Sequence, residues 1–191
     1  MRHITQNGLD LIKRFEGFSR TVYFCPAGYP TIGYSLVVKD NEDFSAGIDE
    51  AKGEELLRQD AQIAERALLR LINVPLTDGQ FDALVSFTYN LGCGALQRST
   101  LRRKINREEH AEVPEQSMRW VWVGGRKLKE LVRRRAAESI CYKMGCKKLI
   151  TPPILMKLHH SPRALLVLLY AIFRKRAHDQ RFCLPFQVIF L

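Results

Sequence analysis

The sequence predicts an α+β fold, mainly α, and three observations carry that expectation. Apolar residues return at helical spacing through most of the first 142 positions. Before the tail, only residues 23–38 have the Tyr/Val/Ile/Thr texture of short strands, broken by Pro26, Gly28, Pro30 and Gly33. The 191 residues, 46% hydrophobic and 26% charged, suffice to bury one ordinary core, which excludes a disordered or fibrous class and a stapled miniprotein.

Taken in order, Ile4, Gly8, Leu9, Ile12 and Phe15 recur at helical spacing behind Thr5, a good N-cap, so a helix is expected over 5–16 with Gly17 ending it. After the strand-like segment, Asp49 and Glu50 open a long helix through Leu56, Leu57, Ala61, Ala64, Leu68 and Leu71. Its acids come early and its arginine late, as the helix dipole favours, and Pro75 stops it. Thr77-Asp78-Gly79-Gln80 is a capping box for a helix carrying Phe81, Leu84, Val85 and Phe87 towards Gly92. Shorter helices are expected over 99–106 and 114–121, then a Gly124-Gly125 turn, then a helix over 128–142. Beyond Gly145 the periodicity fails among Pro152, Pro153, Pro162 and Pro185, which places a boundary near residue 145.

The formal net charge of +10 is unevenly spread: residues 142–191 hold nine of the 30 Lys/Arg and one of the 20 acids, Asp179. The first 141 residues therefore carry only +2. Such a tail is either a solvated appendage or a patch for polyanions such as nucleic acid, anionic lipid or acidic envelope polymers. Its apolar run, 164–173, is about half of the roughly 20 residues that span a bilayer, but between Arg163 and Arg174-Lys175-Arg176 it suits docking on an anionic membrane or envelope. Five widely spaced cysteines (Cys25, Cys93, Cys141, Cys146 and Cys183) argue against a secreted disulfide framework and fit a reduced cytoplasm. Cys141 and Cys146 lack zinc-knuckle spacing, so no metal is expected. The opening Met-Arg-His-Ile-Thr-Gln-Asn has no apolar signal, so export by the usual route is not expected.

Glu16 is the first candidate for chemistry. At the end of a helix and beside Phe15, its carboxyl emerges next to an apolar face, where partial desolvation raises a carboxyl pKa. A carboxyl that keeps its proton near neutrality can act as a general acid on a glycosidic oxygen. The competing reading is a solvated charge at a helix end. Cys25 is either a nucleophile or base, if it ionises, or a small buried hydrophobe, and the Pro26/Gly28 turn makes burial the less expected of the two. Thr31, alone in a strand-like stretch, is by default a β-former. Tyr23, Tyr29 and Tyr34 offer faces to sugar rings but by default pack within a small sheet, and Trp120 and Trp122 are expected in the helical core.

Phe15-Glu16-Gly17, Cys25-Pro26-Ala27-Gly28 and Thr31-Ile32-Gly33-Tyr34 together resemble the phage-type lysozymes, the endolysins of glycoside hydrolase family 24. The family spaces a Glu, an Asp or Cys, and a Thr with eight and then five residues between them, as Glu16, Cys25 and Thr31 are spaced. The resemblance continues through Gln80-Phe81-Asp82-Ala83-Leu84, Asn90-Leu91-Gly92, Arg119-Trp120, Gly124-Gly125 and Arg133-Arg134-Arg135-Ala136-Ala137-Glu138, covering roughly residues 4–142. It implies a two-lobed lysozyme-like catalytic domain over 1–145. A small β-containing lobe occupies about 17–48, a helical lobe about 73–142, and a long linking helix joins them. Glu16, Cys25 and Thr31 are the implied catalytic residues, with Glu16 the acid and Arg133 the cation approaching it. The implied substrate is peptidoglycan, cut between N-acetylmuramic acid and N-acetylglucosamine without a cofactor. The implied biology is a monomer held in the host cytoplasm until a holin-type pore admits it to the periplasm and wall.

The chain departs from the pattern in three places. Ser35-Leu36 replaces the family's Gly-His, Glu130 stands where Gly is common, and the tail 146–191 is not covered. A positive φ at Ser35 would cost about 1 kcal/mol. These departures keep two rivals in play: a non-catalytic peptidoglycan-binding remnant, and a basic membrane- or nucleic-acid-binding protein acting through its tail.

Overall fold

The computed structural model describes residues 1–25 and 27–144, and the expectations for the tail lie outside them. The described part is mainly helical with small antiparallel sheets, the class that the sequence predicts. Helix α1 (Gln6–Glu16) is capped by the Thr5 hydroxyl, which accepts from the Gly8 amide, and Gly17 ends it at φ 70°. Strands β1 (Ser19–Phe24), β2 (Pro30–Gly33) and β3 (Leu36–Val37) form one sheet in that order, with Tyr23 opposite Thr31 and Ile32 opposite Leu36. The sheet begins four residues earlier than the texture of 23–38 suggests, because β1 is exposed along its length and has no apolar alternation to announce it.

Helices α2 (Glu50–Leu71), α3 (Asp78–Leu91), α4 (Cys93–Arg98), α5 (Thr100–Asn106) and α6 (Val113–Met118) follow. The Asp49 carboxylate caps α2 and the capping box of Thr77 and Gln80 is present on α3, both as expected. A second hairpin, β4 (Trp122–Val123) with β5 (Arg126–Lys127), turns on Gly124 and Gly125, both at positive φ, and α7 (Lys129–Met144) closes the described chain. The expectation of a single β segment is corrected here, since strands of two residues are too short to show a period. Trp122, expected in the core, lies 61% exposed on this hairpin, while Trp120 packs edge-on against Phe87 with ring centroids 5.8 Å apart.

Two apolar clusters position the site. The larger joins α1, α2, α3 and α7 through residues such as Leu9, Ile12, Leu57, Phe81, Phe87 and Ala137. The smaller gathers Ile32, Ile48 and Leu56 beneath the sheet. Helix α2 contributes to both, Leu56 to one and Leu57, Ala61, Ala64 and Leu68 to the other. The N-terminus of α1 is tied to α3: both Asp82 carboxylate oxygens accept from Thr5, from its amide at 2.9 Å and its hydroxyl at 2.5 Å. Three residues separate the paired Ile32 and Leu36, and the last of them, Ser35, takes φ 72°. That is the left-handed position of a three-residue hairpin loop, where glycine is the unstrained choice.

Candidate active site

Helix α1 ends at Glu16 with its apolar face committed to the core, so the carboxyl is delivered into the protein while the backbone at the helix end stays partly open. The Glu16 side chain is only 2% exposed. Arg134 on α7 donates from Nη1 to Glu16 Oε1 at 2.6 Å, and the same guanidinium donates from Nε to Glu138 Oε1 at 3.2 Å. Desolvation is the largest influence on Glu16 and raises its pKa; Arg134 opposes it, but one guanidinium shared between two buried carboxylates does not cancel the burial. The expectation of a desolvated carboxyl beside an apolar face therefore holds, and the carboxyl lies deeper than the sequence implied.

A second layer supports this pair. Glu138 also accepts from the Ser86 hydroxyl at 2.8 Å and lies 3.1 Å from Arg135 Nε. Arg135 is fully buried, donates to Asn90 Oδ1 at 2.6 Å and lies over the Phe87 ring. Burial pulls its pKa down to about 10 despite Glu138. Two arginines thus face two carboxylates in the interior, and the group is neutral as a whole when all four are ionised. The cation at Glu16 is Arg134, which corrects the placing of Arg133. Arg133 is exposed on the solvated face of the helix. Leu131, Arg134, Arg135, Glu138, Cys141 and Tyr142 share the buried face of α7, so the helical period extended from Leu131 was the signal for choosing among the three arginines.

The sheet supplies the other side. Cys25 is 3% exposed, against the expectation that the Pro26/Gly28 turn would leave it open, because its chain folds back: the Cys25 amide donates to the Tyr29 carbonyl at 2.9 Å and the Gly28 amide to the Cys25 carbonyl at 2.7 Å. Thr31, fully buried on β2, donates its hydroxyl to the same Tyr29 carbonyl at 3.0 Å. One carbonyl oxygen therefore ties Cys25 to Thr31 and leaves the lone pairs of the Thr31 hydroxyl to accept. Tyr23, opposite Thr31 across the sheet, links this side to Glu16: although the residue is 37% exposed, partial desolvation of its phenol raises the pKa, Ser35 opposes the rise, and Glu16 and Cys25 add to it. Tyr34 is buried, stacked at a tilt on Phe18, so of the three tyrosines it takes the packing role. Sequence reasoning missed Arg134, Glu138 and the position of Tyr23. Among the described residues no group of three His, Cys, Asp or Glu is placed to hold a metal, and no helix is long and apolar enough to cross a membrane.

The Phage lysozyme family model matches residues 13–138. The chain is similar to the endolysin of Bacillus phage B103, 38% identical over 148 residues that make up 76% of this chain and 56% of that protein. It is also similar to the endolysin of Acyrthosiphon pisum secondary endosymbiont phage 1, 35% identical over 144 residues, 73% of this chain and 97% of that one. It thus spans little more than half the length of the first relative and nearly all of the second. Among solved structures, the endolysin from Escherichia coli O157:H7 phage FAHEc1 superposes with a TM-score of 0.68 at 34% identity, covering 75% of this chain and 94% of that one. The muramidase domain of SpmX from Asticaccaulis excentricus does so with a TM-score of 0.68 at 33% identity, covering 74% and 99%. With the helix-end glutamate, its buried arginine and the adjoining sheet in place, these matches lead to one conclusion: the chain belongs to the phage lysozyme family of glycoside hydrolases.

Proposed function

We propose that the protein is an endolysin that hydrolyses the β-1,4 bond between N-acetylmuramic acid and N-acetylglucosamine in bacterial peptidoglycan, with Glu16 as general acid. The observation that carries this reading is a carboxyl buried to 2% exposure and fixed through one oxygen by Arg134, with burial holding its proton above the ordinary carboxylate range. Fixing Oε1 leaves Oε2 to deliver the proton. The glycan lies between the sheet-bearing lobe, about 17–48, and the helical lobe, about 73–142. Glu16 protonates the departing oxygen as the glycosidic bond breaks, and a water attacks the anomeric carbon through an oxocarbenium-like transition state. Thr31 accepts a hydrogen bond from that water, and the water's released proton passes to solvent; the Cys25 sulfur takes it only as a thiolate. This water route inverts the anomeric configuration, whereas attack by the Cys25 sulfur on the sugar would retain it.

The protein acts as a monomer in this reading, retained in the host cytoplasm until a holin-type pore admits it to the wall. The test is clearing of a purified peptidoglycan suspension by the full chain and by Glu16→Gln, with folding checked by circular dichroism. Clearing by the full chain that disappears in a folded Glu16→Gln variant is the expected result. Binding to the suspension without clearing by the full chain would instead identify a peptidoglycan-binding remnant.

A further inference from the structure

Ser35 occupies a costly position. It ends the loop between β2 and β3 at φ 72°, is 6% exposed, and its hydroxyl has no hydrogen-bond partner among the described residues. A buried, unpaired hydroxyl on strained backbone is disfavoured twice over, by its conformation and by its lost hydration. The groups on which this hydroxyl acts are the Glu16 carboxyl and the Tyr23 phenol, whose ionised forms it favours. We infer that Ser35 is a positioning residue for Glu16, its hydroxyl held in the left-handed turn so that it orients the carboxyl from the sheet side, opposite Arg134.

A hydroxyl both donates and accepts, so it suits each state of the acid. It donates to the carboxylate when Glu16 is ionised and turns to accept from the Tyr23 phenol or from the protonated carboxyl otherwise. The other groups that act on Glu16 are Arg134 and Glu138 from α7 and, beyond Tyr23, the Tyr89 phenol from α3. Arg134 donates to Oε1. Tyr89 is itself committed to the Tyr34 carbonyl at 3.2 Å and to Asp60. Ser35 is therefore the neutral, uncommitted group at the carboxyl, and it favours the ionised form.

The inference rests on the reading of Glu16 as general acid, and the experiment keeps the two apart. Clearing rate is measured against pH for the full chain, Ser35→Ala, Ser35→Gly and Glu16→Gln. Removing the hydroxyl is expected to move the alkaline limb of activity upward by about one pH unit in both Ser35 variants, the size of one hydrogen bond to a charged group. Ser35→Gly, free of the backbone strain, should melt roughly 3 °C above Ser35→Ala with the same limb. A limb that stays in place in both variants while Glu16→Gln is inactive overturns the role of Ser35 and leaves Glu16 standing. Activity retained by Glu16→Gln overturns the reading of the acid itself.

Discussion

Arg134 Nη1 stands 2.6 Å from Glu16 Oε1, with the two side chains 3% and 2% exposed. Ion pairs this deep gain little over a well-packed apolar pair, but losing one partner leaves the other desolvated and uncompensated. Glu138 feels the same loss, because it shares the guanidinium. Arg134→Gln should therefore cost about 3–5 kcal/mol in a urea titration. An exposed arginine on the same helix, Arg133, is the control and should change stability by less than about 0.5 kcal/mol when replaced by Gln.

The ionisation of Glu16 fixes the sign of a pH effect. Its pKa is raised from the ordinary 4.5, so over the interval above 4.5 the folded protein binds more protons than the unfolded chain. The stability contributed by Glu16 is full below that interval and declines as pH rises through the folded value. Comparing thermal melts from pH 4 upward, Glu16→Gln should show a shallower decline than the parent protein. A parent curve no steeper than that of the variant counts against the raised value.

Glu54 behaves in the opposite sense. Lys13 on α1 and Arg58 on α2 both donate to its carboxylate at 2.9 Å, and Lys13 is the larger cause of a pKa lowered to about 2. This contribution is present above 4.5 and is lost as pH falls towards 2. Glu54→Gln should be less stable than the parent at neutral pH by on the order of 1 kcal/mol, since the group is a quarter exposed and screened. The two proteins should converge on acidification, and high salt should narrow the gap at pH 7.

Gly8 reverses a general expectation about helices. Replacing a glycine within a helix by alanine ordinarily gains up to about 1 kcal/mol, and Gly8 stands in the first turn of α1. Here an added methyl would lie 2.6 Å from Asp82 Cγ and 2.6 Å from Ile4 Cγ1. Relieving the contact means displacing the carboxylate that holds Thr5 and the start of α1. Gly8→Ala should lower the melting temperature, and a rise would show that α1 and α3 are not in such close approach.

Much of this was legible because local rules and tertiary packing agree. Thr5, Asp49 and Thr77 cap their helices as their residue types demand, and Gly17 and Gly92 end theirs at positive φ. The site was legible in its desolvated glutamate and in the positive φ of Ser35. What sequence hid is set by contacts remote along the chain. Three consecutive arginines look alike until the register of α7 turns Arg134 and Arg135 inward and Arg133 outward. No helix was expected between Gly92 and residue 99, yet Gly92 at φ 82° redirects the chain into α4. Cys25 is buried by a carbonyl four residues ahead of it, a fold-back that composition does not reveal.

The contact between Glu16 and Arg134 joins residues 118 positions apart. During synthesis the Glu16, Cys25 and Thr31 segment leaves the ribosome long before α7 exists, and until α7 docks on α3 the acid is an ordinary carboxyl without its cation or its dry surroundings. In the proposed reaction, catalytic competence is therefore a late event in the life of the nascent chain, and a fragment that stops before residue 129 carries Glu16, Cys25 and Thr31 without the environment that raises the pKa of Glu16.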